Sequence, residues 1–301
     1  MADTNTVYFD RIALVGIGLI GSSVAHMVRQ KGLAGHIAVT ARSKKSLDTA
    51  RRLGIADSVS LDQGEAVTDA DLVMICSPVS TYGAIMETIA PSLKLGAIVT
   101  DVGSVKGAVI RDAAPHIPDG VHLIPAHPVA GTEHSGPEAG FAELFEGRWC
   151  VITPTEDADH TAVDKVAALW RTAGSDVEFM DPDHHDQVMA MTSHLPHLIA
   201  YTIVGTATDL EKSLMNEVIK YSAGGFRDFT RIAASDPTMW RDVFLNNKEA
   251  VLEMLQRFNE DLTALQRAIR WNEGDELFDF FTKTRDIRRG VIDARQEKLY
   301  D

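Results

Sequence analysis

Short continuous apolar runs alternate with stretches of helical period through the first 180 or so residues, and then the runs stop. Ile12–Val15, Ile37–Thr40, Leu72–Cys76, Ala97–Thr100 and Val121–Ala126 are runs of four to six residues without internal polar alternation, the pattern of strands covered on both faces in a parallel sheet. Between them the pattern predicts helices over Ser22–Gln30, about Ser46–Leu53, and from Ser77-Pro78-Val79 through Ile89, with a loop and short strand in Gly54–Ser60. Arg148–Thr153 reads as a further strand. Ala162–Arg171 repeats apolar residues at Val163, Val166, Ala167 and Trp170, one face of a helix that Gly174 stops, and Val177–Met180 is expected as a last strand of the same sheet. Asp181-Pro182 then reads as an N-cap followed by proline in the first turn. From about Asp183 to the end only helical patterns remain. This predicts an α/β fold, a doubly wound parallel sheet over residues 1–181, followed by an all-α domain over 182–301.

Composition narrows this only slightly. The chain of 301 residues, 45% hydrophobic and 24% charged, is long enough for two domains with their own cores. A formal net charge of −14 argues against a nucleic-acid-binding surface, while leaving room for a local basic pocket that takes a small anion. Cys76 and Cys150 fall in apolar strands without metal or redox spacing and read as reduced core residues, which suits the cytoplasm. Met1–Asp10 lacks a cationic segment followed by an apolar one, so no signal peptide is expected, and no apolar run is long enough to span a bilayer. A helical half with little core of its own is expected to bury its apolar faces against a second copy, which predicts a homodimer.

The first chemistry appears directly after the first apolar run, in Gly16-Ile17-Gly18-Leu19-Ile20-Gly21. Gly16 permits a tight turn, Gly18 lets the backbone approach a pyrophosphate, and Gly21 allows close packing of helix on strand, while the first-turn amides of Leu19 and Ile20 face the phosphates. Set between a strand and a helix, this predicts a dinucleotide site of the Rossmann type. The second strand ends at Ala41, where an NAD site would carry Asp or Glu, and Arg42-Ser43-Lys44-Lys45 follow. Without the carboxylate nothing repels a ribose 2′-phosphate, which Arg42 could pair and Ser43 could hydrogen-bond. The sequence therefore leans to NADP over NAD, the alternative being that these residues are the solvated start of a helix.

The strand ends supply the polar groups. Ser77-Pro78, Ser104 and His127 close three successive strands, which puts them on the sheet rim where cofactor and substrate bind. His127, in His127-Pro128-Val129-Ala130-Gly131-Thr132-Glu133, is expected where a strand meets a loop, either as an acid/base beside a nicotinamide or as a turn cap. In the helical half, Ser193 and His197 are four apart and share a face. His184, His185, Asp186, His194 and His197 raise the alternative of a metal site, but no ligand motif is present and Pro196 is expected to break the helix, so no metal is expected. Arg227 and Arg231, four apart after Gly224-Gly225, suit carboxylates or plain surface ion pairs. From Asn246 on, Val251, Leu252, Leu255 and Phe258 mark a structural amphipathic helix.

Taken together, the glycine loop, Asp101–Lys106, His127–Gly136, Ser193–His197 and Gly224–Trp240 resemble, in that order, the prephenate/arogenate (cyclohexadienyl) dehydrogenases of tyrosine biosynthesis. The resemblance covers nearly the whole chain. It implies a Rossmann domain followed by a helical dimerisation domain. His127 would then be the catalytic histidine and Ser104 would orient it beside the nicotinamide. Ser193 and His197 would contact the substrate, Arg231 would bind a substrate carboxylate, and Thr132, Arg227 and Trp240 would line the pocket. Ala41 departs from many members, which carry an acid there. Neither a mutase-like segment before the glycine loop nor an ACT-type domain at the end is expected. The implied reaction is oxidative decarboxylation of prephenate to 4-hydroxyphenylpyruvate, or of arogenate to tyrosine. Other two-domain dehydrogenases, of the β-hydroxyacid or pyrroline-carboxylate kind, share the same plan, and a non-catalytic nucleotide sensor would keep the glycine loop alone.

Overall fold

The computed structural model describes residues 8–208 and 224–293. The expected helical continuation through 209–223 and after 293 lies outside the described residues, as does most of the N-terminal segment read for a signal peptide. The described chain forms two compact units, one through Lys248 and one from Glu249.

The first unit is built on a six-stranded parallel sheet. Its strands are β1 (Phe9–Val15), β2 (Ala34–Thr40), β3 (Ser58–Ser60), β4 (Leu72–Ile75), β5 (Ile98–Asp101) and β6 (His122–Ile124), in the order β3-β2-β1-β4-β5-β6. The chain runs outward from β1 in one direction and then outward from β4 in the other, so a crevice opens between them at the strand ends. Helices α1 (Leu19–Lys31), α2 (Lys44–Arg52), α3 (Gln63–Val67), α4 (Tyr82–Ile89) and α5 (Lys106–Ala113) make the crossovers. Alternate residues of β1 divide between two cores. Ile12 and Leu14 join Met27, Val28 and Ile37, whereas Ala13 and Val15 join Tyr82, Met86 and Val109.

The structure corrects the sequence reading of Val121–Ala126 as one strand ending at His127. Pro125 has no N–H to give to a ladder, and the run splits there. β6 stops at Ile124, and β7 (Ala126–Pro128) pairs antiparallel with β8 (Trp149–Ile152) in a separate three-stranded sheet. His127 thus sits inside a strand, opposite Val151, rather than at a strand–loop junction. The expected last strand, β9 (Asp176–Phe179), also joins this second sheet and not the first. Helix α6 (His160–Thr172) covers it, with Trp170 fully buried edge-to-face on Phe145.

Asp181 caps α7 (Pro182–Met189) as expected, accepting the amides of Asp183 and His184. Among the described residues no strand follows β9. Pro196 does not break the helix. One wide turn, Ala190–His194, bonds in the i→i+5 pattern, with the Leu195 amide donating to the Ala190 carbonyl, and α8 (Leu195–Thr208) continues from it. A wide turn absorbs the lost proline donor without ending the helix. After α9 (Gly224–Thr230), α10 (Pro237–Asn246) returns to the sheet domain, where Trp240 and Val243 bury in the core shared with Val79 and Tyr82.

The second unit comprises α11 (Lys248–Trp271), from Glu249 on, and α12 (Gly274–Asp293), joined through Asn272 at φ 55°. Leu262, Ile269, Trp271, Phe278, Phe281 and Ile287 are each more than half exposed. No described helix is long and apolar enough to cross a membrane.

Candidate active site

The glycine loop behaves as its spacing predicts. Gly16 has φ 105°, and a Cβ there would lie 2.7 Å from the Cys76 carbonyl oxygen. A Cβ on Gly21 would lie 2.3 Å from the Gly16 carbonyl oxygen, so helix α1 rests directly on the turn. Gly18 is the opposite case: nothing stands within 4 Å of its Cβ position, and its open face lies at the N-terminus of α1, where no side chain caps the first-turn amides of Leu19 and Ile20. Open backbone, unclaimed amides and the absence of a first-turn acid together fit a pyrophosphate. Across the crevice Ser77 donates its hydroxyl to the Val15 carbonyl (3.1 Å), which fixes the Ser77-Pro78 turn beside the glycines. At the end of β2, Ala41 is followed by an exposed Arg42 that makes no ion pair among the described residues, and by Ser43, whose hydroxyl caps α2 by accepting the Ser46 amide (3.1 Å). These residues fit the adenosine end of a dinucleotide, NAD or NADP.

His127 lies in the second sheet, 8% exposed. Two groups grip the residue before it. Lys106, fully buried, donates Nζ to the Ala126 carbonyl (2.6 Å) and to Asp101 Oδ2 (2.6 Å), and Asp101 Oδ1 accepts the Ala126 amide (3.1 Å). This polar knot ties the end of β5 and the start of α5 to β7. On the other side, His127 Nδ1 meets His185 Nε2 at 2.9 Å, His185 Nδ1 meets Asp186 Oδ1 at 2.8 Å, and Asp186 accepts the backbone amides of Lys106 (2.7 Å) and Gly107 (2.9 Å). Burial holds His127 well below the usual histidine range, and His185 and the Lys106 cation push the same way. His185 is lowered by burial against the opposing pull of Asp186. His127 Nε2 has no hydrogen-bond partner among the described residues. Ser104, half-buried, sits in the loop between β5 and α5 that leads into the same knot.

The helical segments supply a second cluster. His197 Nδ1 donates to the Ser193 carbonyl (2.8 Å), a bond that places the ring over Trp240, with centroids 3.6 Å apart and planes 23° from parallel. Burial lowers His197, the Ser193 carbonyl opposes, and the Arg231 cation adds to the lowering, so His197 and Arg231 share one neighbourhood. Arg231 reaches Glu133 Oε2 at 3.3 Å, on the same loop as Thr132 after β7. Thr132 is exposed and its hydroxyl accepts the His134 amide (3.2 Å). Arg227 is not drawn in: its side chain is 77% exposed and its ion-pair partner is its neighbour Asp228, 3.7 Å away. His194 is buried behind this cluster, with Nδ1 against Asn247 Nδ2 (3.1 Å), and Asn247 also donates to the Asp186 carbonyl (2.8 Å). Among the described residues no group of acids, histidines and cysteines could hold a metal ion. His185 and Asp186, read from sequence only as possible ligands, are instead the residues behind His127. Glu133 was read only as part of the run after His127, and Asn247 carried no sequence signal.

Comparison with known proteins agrees with a nucleotide-binding sheet domain followed by helices. The profile of the prephenate dehydrogenase nucleotide-binding domain matches residues 24–179, and that of the prephenate dehydrogenase dimerization domain matches residues 181–283. The chain is 40% identical over 280 residues to a cyclohexadienyl dehydrogenase of Zymomonas mobilis, covering 93% of this chain and 95% of that protein. It is 32% identical over 283 residues to the prephenate dehydrogenase of Bacillus subtilis, covering 94% and 76%. The crystal structure of Aquifex aeolicus prephenate dehydrogenase in complex with hydroxyphenyl propionate and NAD+ superposes with a TM-score of 0.88 at 34% identity, over 95% of this chain and 99% of that one. A Salmonella typhimurium 3-hydroxyisobutyrate dehydrogenase, at 14% identity and a TM-score of 0.55 over 83% and 88%, shares the fold alone.

Proposed function

The chain belongs to the prephenate dehydrogenase family, and from that premise we propose that it oxidatively decarboxylates prephenate, arogenate or both, with His127 as the base that handles the ring hydroxyl proton. The observation that carries the role is the environment of His127. Burial keeps it neutral, one ring nitrogen is engaged by His185, and the other has no protein partner. A neutral imidazole fixed at Nδ1 presents Nε2 as an acceptor, which is what proton removal from a carbinol requires.

The oxidised nicotinamide supplies the hydride acceptor when bound. His127 Nε2 accepts the hydroxyl proton as the C–H electron pair leaves the same ring carbon. The bond to the ring carboxylate then breaks, its electron pair enters the ring, and CO2 departs. The ring oxygen takes the proton back from His127 as the aromatic phenol forms. No proton is gained or lost overall, so one histidine that first accepts and then donates suffices. Ser104 orients His127 beside the nicotinamide. Ser193 and His197 contact the side chain of the substrate, with His197 held flat on Trp240. Arg231 takes a substrate carboxylate in exchange for Glu133. Thr132, on the loop of Glu133, lines the approach to Arg231 in this reading, and Arg227 stays outside the cluster.

The cofactor is NADP or NAD, and the Ala41-Arg42-Ser43 turn supports NADP. The boundary between dinucleotide-binding and helical parts falls at Asp181, supported by its cap on α7 and by the meeting of the two family profiles there. The exposed apolar side chains of α11 and α12 support a homodimer, and the unpaired Cys76 and Cys150 support a cytoplasmic enzyme. The test is steady-state formation of reduced nicotinamide with prephenate and arogenate, each crossed with NADP and NAD. Turnover is expected with at least one pair, and His127→Asn is expected to lower kcat roughly 10²–10⁴-fold with cofactor binding intact. No turnover in all four combinations, or full turnover in His127→Asn, overturns the reading.

A further inference from the structure

The line of groups behind His127 admits one protonation pattern. Asp186 accepts the Lys106 amide on Oδ1 (2.7 Å) and the Gly107 amide on Oδ2 (2.9 Å), so both of its oxygens are turned toward donors at the start of α5. His185 Nδ1, 2.8 Å from Oδ1, must therefore carry a hydrogen and donate it. A neutral His185 with hydrogen on Nδ1 has a bare Nε2, and that atom lies 2.9 Å from His127 Nδ1. His127 must then carry its hydrogen on Nδ1, which leaves Nε2 bare. The backbone amides of α5 thus dictate, through two side chains, which nitrogen of His127 can accept a proton.

We propose that His185 and Asp186 are positioning residues for the dehydrogenation, setting the tautomer and ring orientation of His127. This rests on the reading of His127 as the base. It explains why a histidine that is 0% exposed and an acid that is 8% exposed are kept on α7, where an apolar pair would pack at less desolvation cost. It also gives the proton somewhere to be tolerated. Once His127 Nε2 accepts the substrate proton, the imidazolium points its Nδ1–H along a chain that ends on a carboxylate. The other charged and titratable groups around this chain are Lys106 and Asp101 from α5 and β5, His194 from the wide turn, and Cys150 from β8. The Lys106 cation opposes a charged His127, while Asp186, by its hydrogen bond and charge, favours the charged form of His185 at the far end of the chain.

The experiment compares His185→Gln, whose side-chain oxygen can still accept from His127 Nδ1, with His185→Leu, which cannot. Readouts are kcat and KM for prephenate across pH, and 15N NMR of histidine-labelled enzyme without substrate. The wild-type spectrum is expected to show His127 with hydrogen on Nδ1 and none on Nε2. His185→Leu is expected to lower kcat about 100-fold with KM within about threefold, and to move the acid limb of the kcat profile. His185→Gln is expected to recover kcat to within about tenfold of wild type. A wild-type His127 with hydrogen on Nε2 overturns the proposal, and so does a Leu variant with unchanged kcat and profile. Equal losses in both variants with an unmoved acid limb also overturn it, since that is the mark of packing alone. Should His185→Leu fail to fold, the wild-type tautomer and the Gln variant decide. A correct wild-type tautomer together with full turnover in His127→Asn would sink the base reading and leave the hydrogen-bonded chain standing, so the two failures are distinguishable.

Discussion

Arg42 is the residue whose freedom carries most for cofactor choice. It is the second residue after the end of β2, stands exposed, and has no carboxylate to pair with among the described residues. A charge-assisted bond to a ribose 2′-phosphate would give it a partner, worth about 1.5–3 kcal/mol, or roughly 10- to 100-fold in affinity. Arg42→Ala is therefore expected to raise KM for NADP by roughly that factor and to leave KM for NAD within about twofold; equal effects on both would show that the side chain points to solvent. The glycines beside it were legible in the sequence, because each is tied to its task by local spacing. Gly16, Gly18 and Gly21 each do what their spacing demands, one through positive φ, one through open space and one through contact with the turn. His185 and Asp186 were not legible as His127 partners. They come 58 and 59 positions later on a different element, and only the docking of α7 against α5 and β7 brings them to the ring.

At the scale of elements, α5 holds the site together from its first residue. The Lys106 ammonium and the Asp101 carboxylate are both buried, 2.6 Å apart, and between them they engage both backbone groups of Ala126. Removing one partner of a buried pair leaves an uncompensated charge, at a cost of about 3–5 kcal/mol. Lys106→Met is expected to lower unfolding stability by that amount in urea titrations, and to lower kcat as well, because the grip on Ala126 sets the position of the next residue, His127. Stability within about 1 kcal/mol of wild type would remove the pair from the role given it. The sequence marked Asp101 and Lys106 as part of a motif without saying that they face each other. It also misread two elements where proline intervenes, for opposite reasons. Pro125 ends a ladder, so one apolar run became two strands in two sheets. Pro196 was expected to break a helix, and a single wide turn absorbed it, keeping Ser193 and His197 on one continuous helical path. Hydrophobic pattern reports burial, and the partner of a strand or the bonding of one turn is decided by backbone donors that the pattern does not count.

For the molecule as a whole, the same burial that prepares the site makes it sensitive to acid. His127, His185, His194 and His197 are all lowered by desolvation before any other cause, His194 to about 4. In the unfolded chain each titrates near the ordinary value of about 6.5. Between that value and the lowered one the unfolded chain binds more protons than the native one, so stability is complete above the unfolded value and is lost as pH falls through the window. For His194 alone the window from 6.5 to about 4 corresponds to roughly 3 kcal/mol. The carboxylates lowered by their partners, Asp57, Asp71 and Asp242, act in the same direction but only at lower pH, near their own range. Urea unfolding followed from pH 8 to pH 5 is thus expected to show stability level down to about 7 and then falling, well before carboxylate titration begins. The steepness separates the contributors, since each fully engaged histidine adds at most about 1.4 kcal/mol per pH unit. His194→Gln, which keeps an amide against Asn247 and removes the titrating ring, is expected to reduce the slope between pH 6.5 and 5 by close to one proton. An unchanged slope in that variant would mean that the buried histidines reach water in the folded state, and the neutral His127 on which the proposed chemistry rests would lose its physical basis with them.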